Sequence, residues 1–119
     1  RQSNSSPLRM KQRNERLLKA TTYMQDCIEE PVSPSVIANK IGISTRQLQR
    51  LFVRYLGVSP NTYMMTLRLE KAQSLLQHTQ MRIIDVATAC GFSTPFLFSK
   101  RYKRHFGISP SEEKVLLAH

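Results

Sequence analysis

The chain has no tryptophan, only two cysteines and four glycines, and just 8 acidic residues against 18 lysines and arginines in 119 positions. Each shortage excludes something. No apolar run approaches the roughly 20 residues that a membrane-spanning helix needs, and the N-terminal stretch lacks the apolar core of a secretory signal. A cytoplasmic protein with no membrane partner is therefore expected. Cys27 and Cys90 fall within apolar helical patterns and have no histidine or cysteine neighbours at ligand spacing, so they read as small buried hydrophobes. His78, His105 and His119 do not cluster with thiols or carboxylates either, which argues against a metal site. With no glycine-rich phosphate loop and no convergent acid, base or nucleophile, neither catalysis nor a cofactor is expected.

What is abundant is positive charge, a formal +10. An excess of that size favours a polyanionic partner, either nucleic acid or an anionic membrane surface, and only its distribution can choose between them. The length allows one modest domain or two very small ones. A first residue of Arg1 rather than methionine is what a fragment of a longer protein would show.

Residues 1–13 are polar, basic and aperiodic, and Pro7 interrupts them, so a flexible arm or linker is expected there. From Asn14, Leu17, Leu18, Thr21, Met24 and Ile28 recur at helical spacing, and Pro31 stops the run. Beyond it the punctuation is regular. Ser33-Pro34, Ser59-Pro60, Thr94-Pro95 and Ser109-Pro110 pair a hydroxyl cap with proline at a first helical position. Gly42, Gly57, Gly91 and Gly107 mark helix ends. These signals predict helices near 34–41, 45–56, 60–78, 82–90, 95–106 and 110–117, with capping boxes at Ser44/Gln47 and Ser109/Glu112. No segment alternates with period two between hairpin turns, so the fold class is all-α with about seven helices.

The punctuation also repeats. Ala38-Asn39-Lys40-Ile41-Gly42-Ile43-Ser44 returns as Ala87-Thr88-Ala89-Cys90-Gly91-Phe92-Ser93, 49 positions on, and Gly57-Val58-Ser59-Pro60 returns 50 positions on as Gly107-Ile108-Ser109-Pro110. One extra residue therefore belongs in the second copy, between Gly91 and Phe98. The expected division is 14–57, a first helix-turn-helix subdomain; 58–80, a connecting helix of roughly 27 Å; and 81–119, a second helix-turn-helix subdomain. In the first, Leu48, Leu51, Phe52 and Tyr55 form the inward stripe, leaving Arg46, Gln49, Arg50, Val53 and Arg54 outside, with Gln47 at the border. In the second, Phe98, Tyr102 and Phe106 point inward, and Phe96, Ser99, Lys100, Lys103 and Arg104 outward.

Neither second helix holds an aspartate or glutamate, whereas the first helix mixes Lys19 with Asp26. An acid-free basic face suits phosphate, and arginine and glutamine on the first turns of a helix in the major groove can read guanine and adenine edges. The rival reading, a basic helical module for acidic proteins or membranes, needs an exposed apolar stripe rimmed with lysine, and here the core absorbs the stripes. Leu97 reads as a packing residue, while Phe96 fits either packing or contact with a thymine methyl.

These residues resemble the DNA-binding domain of AraC/XylS-type transcriptional regulators over about residues 14–117. The resemblance rests on Val36-Ile37-Ala38 through Gly42, Ser44-x-x-x-Leu48-x-Arg50-x-Phe52, Gly57-x-Ser59-Pro60-x-x-Tyr63, Arg68-Leu69-x-x-Ala72-x-x-Leu75-Leu76, Ile83-x-x-Val86-Ala87, Cys90-Gly91-Phe92-Ser93, Phe98-Ser99-Lys100-x-Tyr102-Lys103 and Phe106-Gly107-Ile108-Ser109-Pro110. It implies seven helices in two helix-turn-helix subdomains bridged by one long helix, with a recognition helix from each in adjacent major grooves of double-stranded DNA. It further implies control of bacterial transcription, an upstream sensor domain of the same chain, and RNA polymerase as a partner. Carried over residue by residue, the base-contacting set is Arg46, Gln47, Gln49, Arg50, Phe96, Leu97, Ser99 and Lys100; Thr45, Arg54, Thr94, Lys103 and Arg104 are the expected phosphate contacts. At Leu97 the resemblance and the packing reading differ. Pro95 and Phe96 occupy positions often polar in that family, which shifts the second helix towards backbone positioning and shape readout. The wording from Gln47 to Pro60, with Arg68-Leu69-Glu70, is similar to a subgroup whose upstream domain resembles amidotransferases and which governs nitrogen or amino-acid catabolism.

Overall fold

The computed structural model describes the backbone of residues 7–118 and the side chains of residues 13–116. Those residues form seven helices and no strand: α1 (Pro7–Asp26), α2 (Pro34–Ile41), α3 (Thr45–Leu56), α4 (Pro60–His78), α5 (Ile83–Ala89), α6 (Pro95–Phe106) and α7 (Pro110–Ala118). The punctuation acts as expected. Ser44 and Gln47 close a reciprocal capping box, and Ser109 and Glu112 exchange the same pair of bonds. Ser33 departs from expectation: its hydroxyl lies 2.9 Å from that of Ser35 and makes no cap bond, and its carbonyl accepts from Val36 and Ile37 instead.

The first helix also departs. It begins at Pro7, so residues 7–13 of the expected arm are helical, while residues 1–6 lie outside the described residues. Proline at a helix start gives up an N–H that would have had no partner, and so opens a helix rather than breaking one. Its buried face is Ala20 and Met24 with Leu17 half-buried, whereas Leu18, expected inward, is 66% exposed. Leu18 sits about 100° around the helix from Leu17, off the inward stripe.

The described residues divide into two compact units, with the chain passing from one to the other inside α4 between Met64 and Met65. In the first, α1 packs on α2 and α3, and α2 on α3, burying Ala20, Met24, Ile37, Ala38, Leu48, Leu51, Phe52 and Met64. In the second, which includes residues 28–31, the core gathers Leu69, Ala72 and Leu76 of α4, Val86 and Ala87 of α5, Cys90 and Phe92 of the following turn, and Phe98 and Tyr102 of α6. An aromatic ladder, Phe92–Phe98–Tyr102–Phe106, runs through it with ring centroids 5.1, 5.6 and 4.5 Å apart. Each such ring taken fully from water stabilises the unit by about 1.5–3 kcal/mol. Burial pushes the Cys90 thiol up to about 11, out of reach of thiolate chemistry near neutral pH.

The repeat is structural as well as textual. The Ile43 N–H donates to the Ala38 carbonyl and the Phe92 N–H to the Ala87 carbonyl, both at 3.0 Å, and both alanines are buried. From Gly42 to the cap Ser44 is two positions and from Gly91 to the cap Thr94 three, so the extra residue lies in the turn before Pro95.

Candidate nucleic-acid interface

Helix α3 is anchored from both sides of its first turn. The Gln47 N–H donates to the Ser44 hydroxyl at 3.1 Å, and the Ser44 N–H to Gln47 Oε1 at 2.8 Å. With Leu48, Leu51 and Phe52 turned into the core, Thr45, Arg46, Gln49, Arg50, Val53 and Arg54 are left exposed on the other face. Gln47 is exposed too, but its amide oxygen is committed to the cap. Tyr55, expected inward, is 36% exposed at the rim, its ring centroid 5.9 Å from the Arg54 guanidinium. A tyrosine at the end of an apolar stripe keeps its hydroxyl wet and lays its ring under a cation.

Beside this face runs an open groove of about 370 Å³, lined by Arg50, Leu51, Arg54, Tyr55 and Gln47 of α3, Ile43 before it, and Arg13 and Arg16 of α1. Arg13 is absent from the expected site because residues 1–13 read as an arm, and Arg16 because the first helix, although expected from Asn14, is assigned no part in the interface. The signal that could have found them is proline at a first helical position, which would have started α1 at Pro7 and placed the two arginines three apart on one face.

Helix α6 opens the same way without a reciprocal box: the Thr94 hydroxyl accepts from the Leu97 N–H at 3.0 Å, with Pro95 at the first helical position. Phe98 and Tyr102 go inward, and Leu97 is half-buried against the same core. Phe96 is 78% exposed. It joins Ser99, Lys100, Lys103, Arg104 and Ser109 around an open depression of about 470 Å³. No acidic side chain lines either concavity.

Residues behind α6 hold it in place. The Tyr102 hydroxyl donates to Glu113 Oε1 of α7 at 2.6 Å, and Gln73 Nε2 of α4 reaches the same oxygen at 3.5 Å. Burial first, then the adjoining carboxylate, pushes the Tyr102 phenol well above its ordinary range. Glu113 went unnoticed in the sequence, although it stands 50 positions after Tyr63, whose ring packs on Phe52 at 5.5 Å. The Arg68 guanidinium lies over the Phe92 ring at 5.5 Å, and burial with nearby Arg101 lowers its proton affinity. Asp85 pairs with Arg82 at 2.9 Å on the surface. Among the described residues, no three His, Cys, Asp or Glu side chains converge as a metal site, and no helix is long and apolar enough to cross a membrane.

Residues 37–114 match a family described as a helix-turn-helix domain. Over 100 residues the chain is 45% identical to the HTH-type transcriptional regulator GbdR of Pseudomonas aeruginosa, covering 83% of this chain and 27% of that protein. It is similar in structure to a transcriptional regulator of Chromobacterium violaceum, of the AraC-type DNA-binding domain-containing proteins, with 44% identity, a TM-score of 0.84, and coverage of 89% of this chain and 95% of that one. The DNA-binding domain of the global transcriptional factor AdpA, solved with a target DNA, superposes with a TM-score of 0.80 at 25% identity, covering 84% of this chain and 90% of that one. The chain spans about a quarter to a third of the length of the curated relatives it matches.

Proposed function

The chain belongs to the AraC-type helix-turn-helix family of transcriptional regulators, and from that membership we propose that it is the module with which a longer bacterial regulator binds double-stranded DNA. The observation that carries this reading is the recurrence, at equivalent places in both units, of a capped helix whose outer face is basic, exposed and free of acid. Each helix enters a major groove, α3 reading bases through Arg46, Gln49 and Arg50, and α6 through Ser99 and Lys100 with Phe96 against a thymine methyl or base face. The exposure of Phe96 supports contact over packing, and the half-buried Leu97 supports packing over contact.

Gln47 serves the cap rather than a base, since reading adenine bidentately would draw on the oxygen that holds the Ser44 N–H. Thr45, Arg54, Lys103 and Arg104 meet phosphates, and the Thr94 hydroxyl, which accepts from the helix, still has its own hydrogen to donate to one. The remainder of the regulator supplies a sensor domain and works with RNA polymerase in the cytoplasm. No catalytic step belongs to this reading.

Selection of bound duplexes from a random pool at about physiological salt tests it, because non-specific phosphate binding is weak there. Two enriched motifs, centred about 10–10.5 base pairs apart, are expected. Arg50→Ala should weaken the preferred site by about 1–3 kcal/mol and relax one motif. No enrichment with the intact regulator would overturn the reading.

A further inference from the structure

Four guanidiniums share the groove beside α3. Arg13 and Arg16 reach it from α1, Arg50 and Arg54 from α3, and no lining residue carries negative charge. Glu15 lies between the two α1 arginines in sequence but is not part of the lining. A guanidinium stays charged at any pH a folded protein tolerates, so the cluster repels itself and gains stability only when an anion sits among its members. Ile43, Leu51 and Tyr55 supply an apolar floor of the kind that supports the stems of long basic side chains.

The groove is open and presents forked donors from two helices, which suits a polyanion better than a single carboxylate. The concavity of the second unit is different, its cations coming from α6 alone. We propose that Arg13 and Arg16 of α1, together with Arg54, bind the DNA backbone alongside the base-reading edge of α3, so that α1 belongs to the interface. The proposal rests on the DNA-binding reading above, and it adds an element that lies entirely outside the matched residues 37–114.

The test compares the chain with its Arg13→Gln/Arg16→Gln and Arg13→Lys/Arg16→Lys variants, titrating a selected duplex and a scrambled one across a salt series. Circular dichroism checks that helix content is retained. The glutamine pair should bind both duplexes about tenfold more weakly, by the same factor, and flatten the slope of log K against log salt by about 1.8, while the lysine pair keeps most of the slope. An unchanged slope in the glutamine pair, with a wild-type chain that still prefers the selected duplex, would sink the role of α1 and leave the DNA-binding reading standing. Loss of preference for the selected duplex, rather than uniform weakening, would also overturn it, since the groove would then read bases. A wild-type chain that binds neither duplex would take both readings down together.

Discussion

Gly42 and Gly91 occupy matching places, each ending the first helix of its helix-turn-helix at φ near +81° and +82°. They differ in what surrounds them. A methyl group on Gly42 would meet nothing within 4 Å, whereas one on Gly91 would collide with the Ile28 carbonyl oxygen and lie 2.8 Å from Pro31 Cδ. Gly42→Ala therefore carries only the left-handed strain of an L-residue, about 1–2 kcal/mol. Gly91→Ala adds overpacking against backbone that no rotamer change can clear, for a total of roughly 3 kcal/mol or more. Urea denaturation of the two variants should rank them in that order, and equal losses would mean that the 28–31 turn yields freely. The glycine positions were readable from sequence because a left-handed helix end is a local demand. The close approach of residues 28–31 was not, because it joins positions some 60 apart in the chain.

Helix against helix, the two units use different chemistry at one place. Phe52 of α3 meets Tyr63 of α4 edge-on at 5.5 Å, and 50 positions later Tyr102 of α6 meets Glu113 of α7 through a 2.6 Å hydrogen bond. The second arrangement depends on pH. Because the phenol is raised above its ordinary value near 10, the folded state holds that proton more tightly than the unfolded chain does. Its contribution is thus complete below pH 10 and is lost as pH climbs through the folded value. The Cys90 thiol, pushed from about 9 up to about 11, acts in the same direction from a lower pH. Stability measured by urea midpoint should hold level from pH 6 to 8 and fall above about pH 9. Tyr102→Phe leaves the buried Glu113 with only the long Gln73 contact, so it should cost about 1–3 kcal/mol at pH 7. Adding Glu113→Leu to that variant should then cost much less than it does in the wild type; simple additivity of the two losses would show that the pair is uncoupled. Helix boundaries from α2 onward were legible because serine, threonine, proline and glycine act over a few residues. Leu18, Tyr55 and Glu113 were misjudged or overlooked because tertiary neighbours, not periodicity, decide what happens at the edge of a stripe.

For the molecule as a whole, net charge matters less than where the acids are. All 8 acidic residues lie outside α3 and α6, while those two helices alone carry Arg46, Arg50, Arg54, Lys100, Arg101, Lys103 and Arg104. Sorting of this kind is visible in the sequence once the helices are placed, which is why both basic faces are legible there. Pro7 could have put Arg13 and Arg16 on one face of α1, but their place beside Arg50 and Arg54 could not be read, since it requires two helices to converge. If the faces serve phosphate, each cation on them should register in the salt dependence of binding, and a cation engaged elsewhere should not. Lys103 is exposed on α6, whereas the Lys114 ammonium is spent on the Met81 carbonyl at 3.0 Å. Lys103→Ala should weaken matched and scrambled duplexes alike and lower the slope of log K against log salt by about 0.9. Lys114→Ala should leave that slope alone, even though it removes the same formal charge and loosens the packing of α7. Equal slope changes in the two variants would mean that DNA senses only the total charge of the chain, and the assignment of the α6 face as a phosphate contact would fail.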